Sequence, residues 1–152
     1  MREKAAISGV THTLDEAVYE VDGIRPAELF EALAKAKVNV DTAAQIGSET
    51  VFSAPLADRV ATAAVLDRLG ATWSERDHLA KISVAGTGLN SHSEIAARTF
   101  ATLRGLRVEP QFVSTSPVEI AFYVPQTEVG RVARMLQEIL GLAGKEPEAG
   151  RA

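Results

Sequence analysis

The sequence predicts an α+β protein made of two ferredoxin-like βαββαβ units. Three observations carry this: an internal repeat at an offset of 70 residues, the same order of helix and strand patterns in each half, and a strand-like segment at the N-terminus that the first half does not use. The offset places Phe30 on Phe100, Leu33 on Leu103, Val38 on Val108, Phe52 on Phe122, Pro55 on Pro125, and Leu66 and Leu69 on Leu136 and Ile139. Aromatic residues make up only 5% of the chain, so two Phe pairs and a Pro pair at one shift outweigh chance matches of Leu or Ala.

Taken in order, Ala6 to Thr13 reads as a strand. Ala17, Tyr19 and Val21 alternate with polar neighbours as a half-buried strand does. Pro26, Leu29, Phe30 and Leu33 follow the spacing of an amphipathic helix, with Pro26 acceptable in its first turn. Val38 to Ile46 and Thr50 to Ala54 are short apolar strands joined by Gly47-Ser48, a tight hairpin. A helix from about Ala57 to Leu69 ends at Gly70, and Ala71 to Asp77 supplies the fourth strand of the first unit.

The second half repeats the pattern. Ile82 and Val84 belong to a strand, and Gly86-Thr87-Gly88 opens a loop. Ser91 and Glu94 have the spacing of a capping box, and Ile95, Thr99, Phe100 and Leu103 form the buried stripe of the helix that follows. Strands are expected over about Val108–Ser114 and Val118–Val124, then a helix over Thr127–Leu140 stopped by Gly141. Only a polar tail remains after it, so the N-terminal strand is expected to cross over and complete the second unit. The resulting division is 14–77 for the first unit, 5–13 with 78–142 for the second, and a disordered tail over 143–152.

The bulk composition narrows the function classes. The 152 residues are 46% hydrophobic and 24% charged, with a formal charge of −4 and no basic cluster. Nucleic acid or an anionic membrane as partner would leave a basic footprint, so neither is expected. With no cysteine, disulfides, thiolate metal sites and a cysteine nucleophile are excluded. His12, His78 and His92 are far apart in sequence, so no metal is expected, and no cofactor signal is present. The N-terminus lacks a signal-peptide pattern, which makes the cytoplasm the expected compartment.

Four segments resemble the paired ACT domains that form the regulatory part of aspartate kinases. Ile7-Ser8-Gly9-Val10 is similar to that family's opening strand, and Asn39-Val40-Asp41 with Gln45 to its second strand. The run Lys81-Ile82-Ser83-Val84-Ala85-Gly86-Thr87-Gly88-Leu89-Asn90-Ser91-His92 is similar to its loop motif, and Val113-Ser114-Thr115-Ser116 to its Ser-Thr-Ser turn. The resemblance runs from about residue 5 to 142.

It implies two ACT units, the second completed by the N-terminal strand, and a non-catalytic module that binds a pathway amino acid, usually lysine or threonine. It also implies a homodimer assembled through ACT units and a kinase catalytic subunit as partner. The effector-binding residues it points to are Gly23, Ile24, Arg25, Pro26, Asp41, Gln45, Asn90, Ser91, His92, Ser114 and Thr115. Backbone amides in the loops Gly23–Pro26 and Gly86–Ser93 would receive an α-carboxylate, with Asp41 and Gln45 meeting the ammonium or side chain. The chain departs from the family where Gly23-Ile24-Arg25-Pro26-Ala27-Glu28 is short and lacks an aspartate and a glycine. It departs again where Ser93-Glu94 and Pro117 replace Pro-Gly and Glu. The alternative is therefore a diverged scaffold or pseudo-regulatory subunit that dimerises without binding lysine or threonine.

Overall fold

The computed structural model describes residues 6–141 and 148–149. Residues 15–79 form one compact unit, and residues up to 14 with those from 80 onward form the other. In the first unit the order is β2 (Glu16–Asp22), α1 (Pro26–Lys35), β3 (Ala43–Ile46), β4 (Glu49–Pro55), α2 (Arg59–Arg68) and β5 (Thr72–Arg76). The second contains β1 (Ala6–Thr13), β6 (Leu79–Thr87), α3 (Ser93–Gly105), β7 (Phe112–Thr115), β8 (Glu119–Pro125) and α4 (Val129–Ile139).

The sheet of the first unit has the order β3-β4-β2-β5, and that of the second β7-β8-β6-β1. The two orders are the same once β1 is put in the place of β5. β1 pairs antiparallel with β6 from Ala6↔Thr87 to Thr13↔Lys81, with a register shift between Ile7 and Gly9, so the N-terminal segment supplies the strand that the second half lacks. A short strand, β9 (Glu148–Ala149), lies parallel to β1 beyond it. That corrects the expectation of a wholly structureless tail; the rest of 143–152 lies outside the described residues.

Each unit buries its own core between sheet and helices. Tyr19, Leu29, Leu33, Phe52 and Leu66 are among the buried residues of the first, with Phe30 and Trp73 packed against them. Ile82, Leu103, Phe122, Val132 and Leu136 are among those of the second, with Phe100 against them. Phe52 and Phe122 therefore hold equivalent central places, as the repeat requires. Phe52 stacks on Tyr19 with ring centres 5.1 Å apart, and Phe122 meets Phe100 edge-on at 5.8 Å.

The helices end in a common way. At α1 the Lys37 amide bonds the Ala34 carbonyl and the Val38 amide bonds Leu33; at α3 Arg107 and Val108 bond Arg104 and Leu103. At α2 Gly70 and Ala71 bond Asp67 and Leu66. These are Schellman turns, which need a left-handed residue just past the helix. Gly70 and Gly141 take that conformation after α2 and α4, as expected from sequence, but Lys37 (φ +59°) and Arg107 (φ +59°) take it after α1 and α3.

Several boundaries differ from the sequence expectation. The strand expected from Val38 begins only at Ala43, because the Ser53 hydroxyl receives the Thr42 amide and breaks the regular ladder. The strand expected from Val108 begins at Phe112, since Val108 is tied to the end of α3 and Pro110 has no amide to donate. Both second helices start later than expected, at Arg59 and Val129, each after a 3₁₀ turn that follows a proline. The capping box does not form. Ser91 lies in a 3₁₀ turn, His92 occupies the cap position of α3, and no side chain among the described residues caps that helix.

Candidate functional site

In both units the loop that leaves the first strand is fastened to the tip of the neighbouring hairpin. In the first unit the Gly23 amide donates to the Ser48 carbonyl at 3.3 Å, and the Ser48 hydroxyl donates to Asp22 Oδ1 at 2.6 Å. Gly23, at φ +82°, allows the chain to reverse there. Ile24 is half-buried, Arg25 is exposed at the cap position of α1, and Pro26 opens the helix at its first position. Gln45, on the exposed edge strand β3, donates its side-chain amide to the Gly47 carbonyl.

Gly23 to Pro26 and Gln45 thus share one end of the sheet, with the first turn of α1. Asp41 does not join them. Its amide bonds the Ser53 carbonyl at 3.0 Å, which sets it four residues back along the edge, about 13 Å at ~3.3 Å per residue.

The second unit repeats the arrangement. The Gly86 amide donates to the Val118 carbonyl and the Leu89 amide to Pro117, each at 2.9 Å. Ser116 closes the hairpin: its hydroxyl accepts from the amides of Glu119 (3.1 Å) and Val118 (3.3 Å). Gly88 is left-handed, at φ +66°, and launches the 3₁₀ turn Leu89–Ser91. Asn90 and Ser91 are exposed, Ser114 is half-buried and Thr115 exposed. All four, with His92, lie at the loop end of the sheet.

The electrostatics of the two helix starts differ from those of an empty anion site. α1 carries Glu28 and α3 carries Glu94 in the first turn, where each favours its own helix dipole. His92 Nδ1 lies 2.9 Å from Glu94 Oε1, so a carboxylate of the chain itself already stands beside the start of α3. The loops therefore present backbone amides and hydroxyls with carboxylates set among them.

Elsewhere, sequence reading missed two polar clusters on the strands. Ser83 Oγ donates to Glu119 Oε2 at 2.8 Å, with Lys81 Nζ 3.7 Å from Oε1, across β6 and β8. In the first unit Ser74 and Arg76 hold Glu20 at 3.2 and 3.1 Å. Pairs this distant in sequence leave no local signal.

A third group lies at the end of the first unit away from the loops. Arg59 Nε is 3.0 Å from Glu75 and its Nη2 is 3.3 Å from Asp77. The hydrogen bond and charge of Glu75 raise the pKa of Arg59 further. The Tyr19 hydroxyl is buried and makes no hydrogen bond among the described residues; burial first, then the charge of Glu75, pushes its pKa up to about 12. These groups tie strand to helix. Among the described residues no three His, Asp or Glu side chains converge as metal ligands do, and no helix is long and apolar enough to cross a membrane.

Residues 82–140 match the ACT domain family. The aspartokinase of Corynebacterium glutamicum is 29% identical over 161 aligned positions, covering 95% of this chain and 38% of that protein. The chain thus spans well under half the length of that relative. The ligand-free regulatory subunit of aspartate kinase from Thermus thermophilus superposes with a TM-score of 0.80 at 24% identity, covering 88% of this chain and 99% of that one. A chain in a crystal structure of aspartokinase alpha and beta subunits superposes at 0.80 with 27% identity, covering 90% and 100%. Residues 82–140 are accordingly similar to the ACT domain, and along most of its length the chain is similar to the regulatory part of aspartate kinases.

Proposed function

We propose that the chain is a non-catalytic regulatory module that binds an amino acid at its loop ends and controls an aspartate kinase catalytic partner in the cytoplasm. The observation that carries the reading is the recurrence, in both units, of a strand-to-helix loop bonded to a hairpin tip. That arrangement gathers backbone amides, serine hydroxyls and a helix start at one end of each sheet, the equipment for an α-carboxylate. Gly23, Ile24, Arg25, Pro26 and Gln45 form the first candidate site. Asn90, Ser91, His92, Ser114 and Thr115 form the second. Asp41, two residues before β3, serves only a ligand that reaches down the edge. Lysine and threonine are the first effectors to test, by resemblance.

Assembly is the second half of the reading. β3 and β7 are edge strands, and neither contains a charged residue. Ile46 on β3 is 83% exposed. Uncharged exposed edges invite pairing with another sheet, which supports a homodimer through the ACT units.

A specific observation favours the alternative of a scaffold without effector binding: Glu94, held by His92, stands where an effector carboxylate would approach. Thermal unfolding with lysine, threonine and methionine separates the two. A ligand at ten times its Kd stabilises by about 1.4 kcal/mol, or roughly 3–6 °C for a chain of this size. A shift of that size with one amino acid supports sensing; no shift with any of them at millimolar concentration leaves the scaffold.

A further inference from the structure

The two sheets share a strand order, but their edges are protected differently. β5 closes one side of the first sheet, and β1 holds the same place in the second, with β9 beyond it. The amides of Gly23 and Gly86 bond the equivalent hairpin residues Ser48 and Val118, so β2 and β6 correspond at an offset of 63 (86 − 23). Tyr19 therefore corresponds to Ile82 and Val18 to Lys81. Their ladder partners correspond in turn: Glu75 to His12, and Arg76 to Thr13.

At β5 the edge is guarded by charge. Glu75 is paired with Arg59 of α2 at 3.0 Å, and Arg76 with Glu20 at 3.1 Å. Charged side chains on an edge strand oppose the docking of another strand. The eight residues of β1 contain no Asp, Glu, Lys or Arg. Where α2 has Arg59, α4 has Val129 at the repeat offset. The repeat is thus an internal control: the same edge is charged in one unit and uncharged in the other.

Two other devices take the place of charge. The register shift between Ile7 and Gly9 interrupts the start of the β1 ladder, and such irregularities spoil an edge as a template. Beyond it, Val10 to Thr13 pair regularly with β6. β9 lies against this regular stretch, Glu148 beside Thr11 and Ala149 beside His12. At two residues, β9 is itself too short to template much pairing.

We infer that β9 is a guard strand, which closes the regular, uncharged stretch of β1 against the β1 edge of a second copy. A bare β1 is self-complementary, because two copies running antiparallel set the same backbone donors and acceptors opposite each other about a two-fold axis. With β9 in place, β3 and β7 remain as the uncharged edges open to assembly. The guard works whether or not an effector binds, and whether or not β3 pairs.

Hydrogen exchange and sedimentation of the full chain test it, using Glu148→Pro with Ala149→Pro, which takes both amides from β9. The second unit has its four strands and two helices without β9, so the variant keeps its fold, checked by circular dichroism. At about 5 µM, the amides of Val10–Thr13 that point away from β6 should exchange at least ten-fold faster in the variant than in the wild type. At about 500 µM the variant should gain mass beyond any gain of the wild type, and those amides should be protected again. Adding Thr13→Glu sets a carboxylate opposite Lys81 and gives β1 a charge where β5 has Arg76. This triple variant should lose the extra mass while its amides stay fast. Equal exchange in variant and wild type at the low concentration, no mass gained over the wild type at the high one, or a gain that Thr13→Glu leaves in place would each overturn the inference.

Discussion

Replacing Tyr19 with Phe removes one oxygen from the centre of the first unit and leaves the rest of the ring stacked on Phe52. Tyr19 is fully buried, and its hydroxyl has no hydrogen-bond partner among the described residues. The Thr62 hydroxyl, close enough to pull its pKa down slightly, donates to the Asp58 carbonyl at 2.8 Å. A buried polar group left unpaired costs about 1–3 kcal/mol, so Tyr19→Phe is expected to stabilise the chain by about 1 kcal/mol or more at neutral pH. That corresponds to a rise in Tm of roughly 2–4 °C per kcal/mol.

The same residue sets a pH signature. Its pKa is about 12 in the fold against 10 for the free side chain. The native state therefore holds the phenolic proton more tightly than the unfolded chain does. The stability this contributes is complete below pH 10 and is lost as pH rises towards 12, a loss of about 2.7 kcal/mol for a two-unit difference. Urea unfolding of wild type and variant at pH 7, 10 and 11.5 gives the assay, with other alkaline titrations cancelling in the difference. The advantage of the variant should grow above pH 10. A variant less stable than wild type at pH 7, or an advantage that stays flat with pH, would refute the assignment of an unpaired buried hydroxyl.

Other substitutions test the remaining features. Arg107→Gly relieves a left-handed arginine and is expected to stabilise by about 0.5–1 kcal/mol, whereas Gly70→Ala should cost about 1 kcal/mol; urea midpoints decide both. Glu119→Ala removes the acceptor of Ser83 and the carboxylate beside Lys81, whose side chain is 10% exposed, and should cost about 2 kcal/mol. Ser116→Ala loses both amide contacts at the hairpin tip; a drop of about 1 kcal/mol in stability, with weaker binding of any amino acid that shifts the wild type, is the expected result.

The legible part of the fold was the part written twice. Phe30 and Phe100, Phe52 and Phe122, and Pro55 and Pro125 mark equivalent positions in two cores, and their common offset reports a shared register that no single helix pattern gives. The need for a fourth strand in each sheet then led to β1. What sequence did not show depends on bonds across the chain. Lys37 and Arg107 take a glycine's conformation because the Schellman turn and the burial of Val38 and Val108 outweigh its strain. The late start of β3 is set by one hydroxyl, that of Ser53, eleven residues away. At the candidate site the motif residues could be named, but not that Ser48, Pro117 and Val118 would fasten the loops, or that His92 would turn to Glu94 rather than leave Ser91 to cap the helix.

The borrowed strand also determines how the chain closes on itself. β1 pairs with β6 from Thr13↔Lys81 upward, and β2 pairs with β5 at Val18↔Arg76, so the two ladders begin within a few residues of each other at both ends. In an unfolded chain, bringing Thr13 to Lys81 means closing a loop of roughly 65 residues, about 4 kcal/mol of chain entropy. Once residues 15–79 have folded, that cost has been met inside their own sheet, and β1 and β6 start out as neighbours. The first unit thus works as a clasp for the second. Whatever tightens the β2–β5 ladder raises the effective concentration of β1 at its partner strand, and whatever loosens it releases the strand that completes residues 82–140.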